Sequence, residues 1–369
     1  MHSAMRPLSL AACLISGVAA QAGWRIIARD IGGGALGTAF FEDGQTGIAA
    51  TSQILPAGYE LRITHDGGVT WSTVNNSYKP LDAYYNVAAF GTHAIASADF
   101  IVPQSSDMAA TFHNSDAPAG GQIVRKLAAA DGHYLGFAII GTTTDGNVNG
   151  AVTSADAGAT WQSRNVQWSN VAIVAIDGSF LNSSWTLVGN VYETSSTAAA
   201  GTYATEVVVS SDAGGTWSTV YQNASVAALG LACLDAQRCC LVGEDGDYAY
   251  IQCTTDGWAS VADPLTDLEE GAAIVEIAVA PGVCAGGAAA YIAVGGVVAG
   301  DAQQPGFWRS CDAGATFVKD ATPAWPVANL LVTDIDCQPH APNGTQCWTT
   351  LWDNSGIEPN TYIAKYFAA

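Results

Sequence analysis

The chain has 369 residues, of which 49% are hydrophobic and 12% charged, so it can form one large domain or two ordinary ones with a substantial core. Acidic residues outnumber Lys and Arg by 33 to 12, which gives a formal net charge of −21. This charge argues against binding to nucleic acid and against docking on anionic membranes.

The N-terminus has the pattern of a secretory signal peptide. Arg6 supplies the positive start, and residues 8–20 form an apolar run that is too short to cross a bilayer. Ala20-Gln21-Ala22 fits a cleavage site. We predict a signal peptide over residues 1–22 and a mature chain that begins at Gly23. Because the sequence has no second apolar run of membrane length, we predict no membrane span.

After a first strand-like run at residues 24–28, an eight-residue pattern, [ST]-x-D-x-G-x-T-[WF], occurs four times. The Asp and the Ser/Thr can accept backbone hydrogen bonds, and the Gly permits the positive φ of a tight turn. The aromatic residue then starts the next strand. The pattern predicts a strand–turn–strand repeat in which the aspartates anchor turns and are not catalytic acids. These aspartates are Asp66, Asp156, Asp212 and Asp312.

The repeated pattern resembles the Asp-box, or BNR repeat, of the sialidase-like β-propeller superfamily. The strand motif Leu241-Val242-Gly243 supports the same resemblance, and similar motifs end at Gly189 and Gly295. In layout the chain is most similar to the photosystem II stability/assembly-factor-like propellers. That resemblance implies a non-enzymatic protein that binds protein partners.

The spacing of the boxes sets the number of repeats. The intervals from Asp66 to Asp156 and from Asp212 to Asp312 each accommodate two units of about 45 residues. We therefore expect a degenerate box at Asn114-Ser115-Asp116 and a shortened one anchored by Asp256.

A last unit would combine strand-like runs at 329–335, 347–352 and 361–367 with the N-terminal run. We predict an all-β, seven-bladed β-propeller of four-stranded antiparallel blades, with the N-terminal strand closing the last blade. It would form a single domain over residues 23–369. Six blades are the alternative.

Eight cysteines remain after the predicted signal, and an even number in an exported chain suggests disulfides. Hairpin geometry suggests four pairs, although a swap of the adjacent Cys239 and Cys240 stays open. The pairs are Cys233–Cys239, Cys240–Cys253, Cys284–Cys311 and Cys337–Cys347. Sequons for N-glycosylation, relevant if the source is eukaryotic, occur at Asn75, Asn182, Asn223 and Asn343.

In up-and-down blades the boxes lie at one end, and the long variable loops lie at the other. We expect a ligand to meet the loop end, where Tyr192 and Asp301 are candidate binding residues. The candidate catalytic carboxylates are Glu193, Asp267, Glu269 and Glu270.

The functional hypothesis is an exported, non-catalytic propeller that binds a protein or glycan partner through its loop end. The alternative is a sialidase-like glycoside hydrolase that uses loop-end carboxylates. No cofactor or metal is predicted, and the sequence does not fix an oligomeric state. Secretion is the expected destination, with the thylakoid lumen or the periplasm as alternatives.

Overall fold

The computed structural model describes residues 23–29, 31, 33–52, 60–74, 84–98, 101–116, 123–130, 133–140, 148–164, 173–181, 184–192, 203–245, 248–265, 273–299, 302–327, 329–338, 344–353 and 360–367. Within these ranges the regular structure is β-strand, apart from a single-turn 3-10 helix at Ala285–Gly287. No described helix has the length and hydrophobicity needed to cross a bilayer. The predicted signal peptide lies outside the described residues.

The described strands form seven antiparallel sheets, numbered here in chain order. Sheets 1 and 2 contain β2 (Gly34–Phe40), β3 (Gly47–Ser52), β4 (Glu60–Thr64) and β5 (Ser72–Thr73), then β6 (Tyr84–Phe90), β7 (His93–Ala98), β8 (Ile101–Ser105) and β9 (His113–Asp116). Sheets 3 and 4 contain β10 (Ile123–Ala130), β11 (His133–Ile140), β12 (Val148–Ser154) and β13 (Gln162–Arg164), then β14 (Ile173–Leu181), β15 (Ser184–Tyr192), β16 (Tyr203–Ser210) and β17 (Ser218–Asn223).

Sheet 5 has three strands, and sheet 6 returns to four. They contain β18 (Ala227–Cys233), β19 (Cys239–Glu244) and β20 (Ala249–Thr254), then β21 (Ala273–Ala280), β22 (Ala290–Ala299), β23 (Ala302–Ser310) and β24 (Val318–Lys319). In sheet 5 the place of a fourth strand is held by one bridge between Cys253 and Ala262. Pro264 follows two residues later, and because proline has no N–H it cannot extend such a pairing.

Sheet 7 joins the two ends of the described chain. Its strand order is β1 (Gly23–Arg29), β27 (Asn360–Phe367), β26 (Gln346–Asp353) and β25 (Leu330–Gln338). The N-terminal strand therefore pairs with the C-terminal strands, as expected from the sequence.

The first strands of successive sheets contact one another in order. They are β2, β6, β10, β14, β18, β21 and β25, and β25 in turn contacts β2. Apolar side chains fill the spaces between neighbouring sheets: Phe40 stacks on Trp348 with ring centroids 3.9 Å apart, and Trp24 stacks on Phe307 at 4.1 Å. Inner strands such as β2, β18 and β19 are buried along almost their whole length because neighbouring sheets cover both faces, whereas the fourth strands β5, β17 and β24 are largely exposed.

Four cysteine pairs lie at bonding distance, all in sheets 5 to 7. The sulfur separations are 2.07 Å for Cys233–Cys239, 2.03 Å for Cys240–Cys253, 1.98 Å for Cys284–Cys311 and 2.07 Å for Cys337–Cys347. These are the pairs suggested by the sequence, and the distances are consistent with disulfides. Three of them join directly opposite residues of neighbouring strands.

Candidate functional site

The order of the strands defines two ends of the molecule. The first-to-second and third-to-fourth strand turns share one end, called the box end here. The second-to-third strand loops and the links between sheets share the opposite end, called the loop end. Strands β2, β6, β10, β14, β18, β21 and β25 all start at the loop end and run toward the box end.

Six turns that follow the third strands of sheets 1 to 6 share one hydrogen-bonding scheme, and we call them box turns. In the turn of sheet 1, the Thr64 hydroxyl donates to Asp66 Oδ1 at 2.8 Å and accepts the Gly68 N–H at 3.0 Å. Thr70 donates its N–H to Oδ1 at 2.8 Å and its hydroxyl to Oδ2 at 2.6 Å. The same four bonds recur in the turns anchored by Asp107, Asp156, Asp212, Asp256 and Asp312.

These bonds keep the anchoring carboxylates ionised. Hydrogen bonds led by the Thr111 hydroxyl lower the pKa of Asp107 to about 2, and bonds led by the Thr216 N–H do the same for Asp212. For Asp66 burial is the largest single influence and raises the pKa, but the hydrogen bonds together outweigh it and the pKa is lowered. A general acid needs a raised pKa, so these aspartates act as fixed acceptors.

The second box turn lies at Ser105–Phe112, not at Asn114-Ser115-Asp116 as expected. Residues 113–116 form strand β9, and Asp107 makes the anchoring bonds. In the four clear copies of the box a glycine stands four residues after the hydroxyl, but here Ala109 occupies that position with φ of 62°. Alanine can adopt this conformation at a cost in free energy. The signal that the sequence offered was the rest of the pattern, Ser-x-Asp-x-x-x-Thr-Phe.

The fifth box turn is full length, not shortened. Ser260 takes the role of the second hydroxyl, and Trp258 occupies the glycine position with φ of 74°. The Trp258 ring is buried between sheets 4 and 5, where it stacks on Tyr221 with centroids 5.6 Å apart. The expectation aligned Trp258 with the strand-starting aromatic residue, whereas it fills the space between two sheets.

The predicted catalytic carboxylates and one predicted binding residue fall outside the part of the chain that the structure describes, so their arrangement stays a prediction. Glu193, Asp267, Glu269, Glu270 and Asp301 all lie outside the described residues. Tyr192 is the last residue of β15 and pairs with Tyr203 of β16, which sets it at the loop end.

A feature that the sequence did not suggest is a bulge near the loop-end start of every first strand. Each bulge inserts one residue, and such bulges bend a strand and re-aim its side chains. The register shifts fall between Ala35 and Gly37, Tyr84 and Asn86, Val124 and Lys126, Ile173 and Ala175, Ala228 and Gly230, Ile274 and Glu276, and Val332 and Asp334.

Three residues that follow these bulges, Asn86, Glu276 and Asp334, form a buried set that we call the polar girdle. Glycines in neighbouring sheets leave room for two of them. A Cβ on Gly37 would lie 2.7 Å from Asn86 Nδ2, and one on Gly230 would lie 2.7 Å from Glu276 Oε1. The girdle therefore places polar groups between first strands, just inside the loop end.

The girdle's side chains accept hydrogen bonds from the next sheet. Asn86 Oδ1 accepts the Leu127 N–H at 3.1 Å, and Asp334 Oδ2 accepts the Thr38 N–H at 2.7 Å. These backbone groups belong to first strands, which have a sheet partner on one side alone. The side chains thus satisfy buried donors that would otherwise cost free energy.

The junction between sheets 7 and 1 has further bonds of this kind, which we call the clasp. In addition to the Asp334 bond, Asp336 Oδ2 accepts the Phe40 N–H at 2.6 Å and Thr361 Oγ1 accepts the Ala35 N–H at 2.8 Å. Burial raises the pKa of Asp336 to about 6, against hydrogen bonds from Gln338 and from backbone N–H groups that lower it. Two carboxylates and a hydroxyl of sheet 7 thus bind the backbone of β2 in sheet 1.

Two aromatic side chains mark the described part of the loop end. Tyr248, in the loop before β20, is 45% exposed. Trp352, next to the end of β26, is half-buried against Gly34, and its Nε1 is buried without a hydrogen-bond partner. Tyrosine and tryptophan are the residues that most often anchor binding partners.

Two other predicted or possible sites are less informative. A cleft of about 220 Å³ opens at the box end between the turns of sheets 3 and 4, but both oxygens of its Asp156 already accept hydrogen bonds within the turn.

Of the sequons, Asn223 alone is described, and its Nδ2 donates to the Tyr221 hydroxyl at 3.0 Å. Asn75, Asn182 and Asn343 lie outside the described residues. No cluster of potential metal ligands occurs among the residues described.

No known protein-family model matches the chain, and no curated protein matches its sequence. Among solved structures, the chain is similar to one described as YCF48 bound to D1 peptide. The TM-score is 0.60 at 16% sequence identity, and the match covers 94% of this chain and 97% of that chain. At this identity the likeness establishes the fold, so the chain has an all-β, propeller-like architecture.

Proposed function

We propose that this protein is an exported, non-catalytic, seven-bladed β-propeller that binds a protein partner through its loop end. Each of the seven sheets would be one blade of a single domain, and the ring of contacts between first strands supports this blade count. The partner would meet the loop end, where a rigid scaffold carries the variable loops.

The observation that carries the proposal is the state of two buried carboxylates, Asp336 and Asp334. Glycoside hydrolysis requires two carboxylates that can reach the substrate, one of them with a raised pKa. Asp336 has a raised pKa, but it is buried and its oxygens accept bonds from Phe40 and Gln338. Asp334 is buried in the clasp. These groups serve the scaffold, which favours binding over hydrolysis.

A protein partner is favoured by the similar solved structure, since that propeller is described as bound to a peptide. The exposed ring of Tyr248 at the loop end offers the kind of side chain that anchors such an interface. Export is supported by the four cysteine pairs at bonding distance, because disulfides persist in oxidising compartments. Secretion, the periplasm and the thylakoid lumen all meet that condition.

Two variants with matched exposure test the proposal. Tyr248 at the loop end and Val69 at the box end are 45% and 52% exposed, so alanine at either removes an exposed apolar group without opening the core. Partners captured from the source by the purified protein should be lost with Tyr248→Ala and retained with Val69→Ala. The reverse pattern would place the interface at the wrong end and reject the proposal.

A parallel glycan array, with the solution assayed for released sugar, separates the alternatives. Binding without release would indicate a glycan partner in place of a protein. Release that is abolished by Glu193→Gln or Glu269→Gln would establish the hydrolase and exclude the non-catalytic function.

A further inference from the structure

The cysteine pair at the box end of sheet 6 differs from the other three pairs in its exposure to solvent. All eight paired cysteines lie in the described part of the chain, and among them Cys311 alone is exposed. Its partner Cys284 is 7% exposed and packs in the apolar cluster between sheets 6 and 7. A thiol in solution can therefore reach Cys311 without any opening of the fold.

The place of Cys311 in its turn explains why it is exposed. It follows Ser310, the first hydroxyl of the box turn, and precedes the anchoring Asp312. This position faces solvent in every box turn, because the residues on either side of it turn inward to form the hydrogen bonds. The equivalent residues of the other five box turns are also exposed, and they are His65, Ser106, Ala155, Ser211 and Thr255.

The segment that carries Cys284 is open as well. The first turn of sheet 6 covers residues 281–289, and Ala285, Gly286, Gly287 and Ala288 within it are all exposed. A Cβ placed on Gly286 or Gly287 would meet no atom within 4 Å. Small residues with open space around them leave room for a second molecule to approach this disulfide.

The neighbouring disulfide shows the opposite arrangement. A Cβ on Gly314, in the same box turn as Cys311, would lie 2.7 Å from the Cys240 sulfur and 2.8 Å from the Cys253 sulfur. The backbone of this turn therefore covers the Cys240–Cys253 pair. In the other two pairs, Cys239 and Cys347 are 1% and 0% exposed. A reductant reaches these three pairs only when the fold opens locally.

We propose that Cys284–Cys311 is a thiol–disulfide exchange site, which a dithiol reductant opens while the other three disulfides stay closed. A thiolate of the reductant attacks Cys311 Sγ, the S–S bond breaks, and its electron pair leaves on Cys284 Sγ, which takes up a proton. The second thiolate of the reductant then attacks the reductant's own sulfur in the mixed disulfide. This step releases Cys311 as a thiolate, which is protonated by water. The pair gains two electrons and two protons, and the dithiol is oxidised to a disulfide.

The exchange would free the first turn of sheet 6 from the box turn. Once the disulfide is open, the bonds from the Gly287 N–H to the Cys284 carbonyl and from the Cys284 N–H to the Ala288 carbonyl remain, both at 3.1 Å. Both are internal to the turn, and the Thr345 hydroxyl holds only its first residue, through the Pro281 carbonyl. The site lies at the end opposite to the proposed partner surface, and it does not depend on that function.

Graded reduction of the folded, full chain tests the site. The protein is treated with increasing dithiothreitol, quenched with N-ethylmaleimide, digested and mapped by mass spectrometry. Cys284 and Cys311 should be labelled at least about tenfold faster than the other six cysteines, because the other pairs require local opening. Cys240 and Cys253, which lie beneath the same turn, are the internal control. With 2-mercaptoethanol, a neutral monothiol, the adduct should form on Cys311 and the maleimide should label Cys284.

A second measurement follows the turn itself. Elastase cleaves after small residues, and it should cut residues 285–288 at least about tenfold faster after selective reduction than in the native protein. The double variant Cys284→Ala with Cys311→Ala should show the same increase. The matched control, Cys233→Ala with Cys239→Ala, removes a disulfide from sheet 5 and should leave the rate of this cut unchanged. Circular dichroism checks that both double variants fold, and the selectively reduced protein gives the same reading without a substitution.

Equal labelling of all eight cysteines, or earlier labelling of another pair, would overturn the exchange site. Labelling of Cys284 and Cys311 before any reductant is added would also overturn it, because the pair would then not be a disulfide. A monothiol adduct on Cys284 would contradict the direction of attack. An unchanged elastase rate after selective reduction would refute the release of the turn.

Discussion

Replacement of Trp258 tests the structure of the fifth box turn. Trp258 has a φ of 74° and is 4% exposed, packed with Val207, Leu231 and Tyr221. A buried, bulky residue in the left-handed region is unusual, because its Cβ crowds the backbone. Two opposed effects therefore act at this position: the ring stabilises the junction between sheets, and the backbone conformation destabilises it.

The magnitudes of these effects predict that glycine at position 258 destabilises the protein less than alanine does, the reverse of the order expected in a strand. Loss of the ring costs about 3–5 kcal/mol in both variants. Glycine also relieves about 1–2 kcal/mol of left-handed strain, which alanine retains. Against this, glycine gives the unfolded chain about 0.5–1 kcal/mol of extra entropy. Trp258→Gly should thus be destabilised by somewhat less than Trp258→Ala, by roughly 0.5–1 kcal/mol.

Urea unfolding followed by circular dichroism measures this difference, with equal m-values as the condition for comparing free energies of unfolding. Leu231, in a strand of the same cluster, is the matched control. There glycine should be worse than alanine by about 1 kcal/mol, since a strand residue gains nothing from positive φ. If glycine is also worse at Trp258 by that margin, the assigned backbone conformation of the turn is wrong.

Four further predictions address the turns, the clasp and the disulfides. Gly314→Ala should destabilise the protein by about 2 kcal/mol or more, because its Cβ would lie 2.7 and 2.8 Å from two disulfide sulfurs at φ of 92°. Asp107→Ala should cost about 1–2 kcal/mol through lost turn hydrogen bonds, as measured by urea unfolding. Asp336→Asn should gain stability relative to the native protein as pH rises from 4 to 7, by up to about 3 kcal/mol. The pKa of the native carboxyl is raised from 3.8 to about 6 in the fold. Its contribution to the free energy of unfolding is therefore present below pH 3.8 and is lost as pH rises through 6. Proteolytic mapping without reduction should link Cys240 to Cys253.

Each of these has its own control. Gly344 also has positive φ, but nothing lies near its would-be Cβ, so Gly344→Ala isolates the backbone strain from the clash. Ser106→Ala changes an exposed residue in the same turn as Asp107 and should have an effect within about 0.5 kcal/mol. A flat pH dependence of the Asp336→Asn difference would contradict the buried carboxyl. A Cys239–Cys253 linkage would contradict the assigned pairs.

The turns were predictable where chemistry limits the residue choice. A carboxylate that accepts three bonds cannot be replaced by another side chain of the same length, so Asp212 and its counterparts stand out in the sequence. The glycine four positions after the hydroxyl is less constrained, because alanine or even tryptophan can be forced into its conformation when packing compensates. For that reason the sequence prediction missed the turn at Asp107 and misaligned the turn at Asp256.

The loop-end chemistry was harder to predict. The polar girdle depends on Asn86, Glu276 and Asp334 occupying equivalent places after a bulge, and a bulge leaves no clear residue signature. The predicted candidates, such as Glu193 and Asp267, were chosen as polar groups in the long loops and links expected at the loop end, where sequence sets neither distance nor orientation. Their roles stay predictions. The pairing of the N-terminal strand with β27, by contrast, followed from counting strands.

The central claim is that a protein partner binds at the loop end, and photo-crosslinking tests it most directly. A photoreactive phenylalanine analogue is placed at Tyr248 in one sample and at Val69 in another, since both positions are exposed and lie at opposite ends. Irradiation in the native secretion or lumenal fluid is followed by mass spectrometry. A single protein crosslinked from position 248 and absent from position 69 is the predicted result. Crosslinks from position 69 alone, or no crosslink together with sugar release by the purified protein, would contradict the claim.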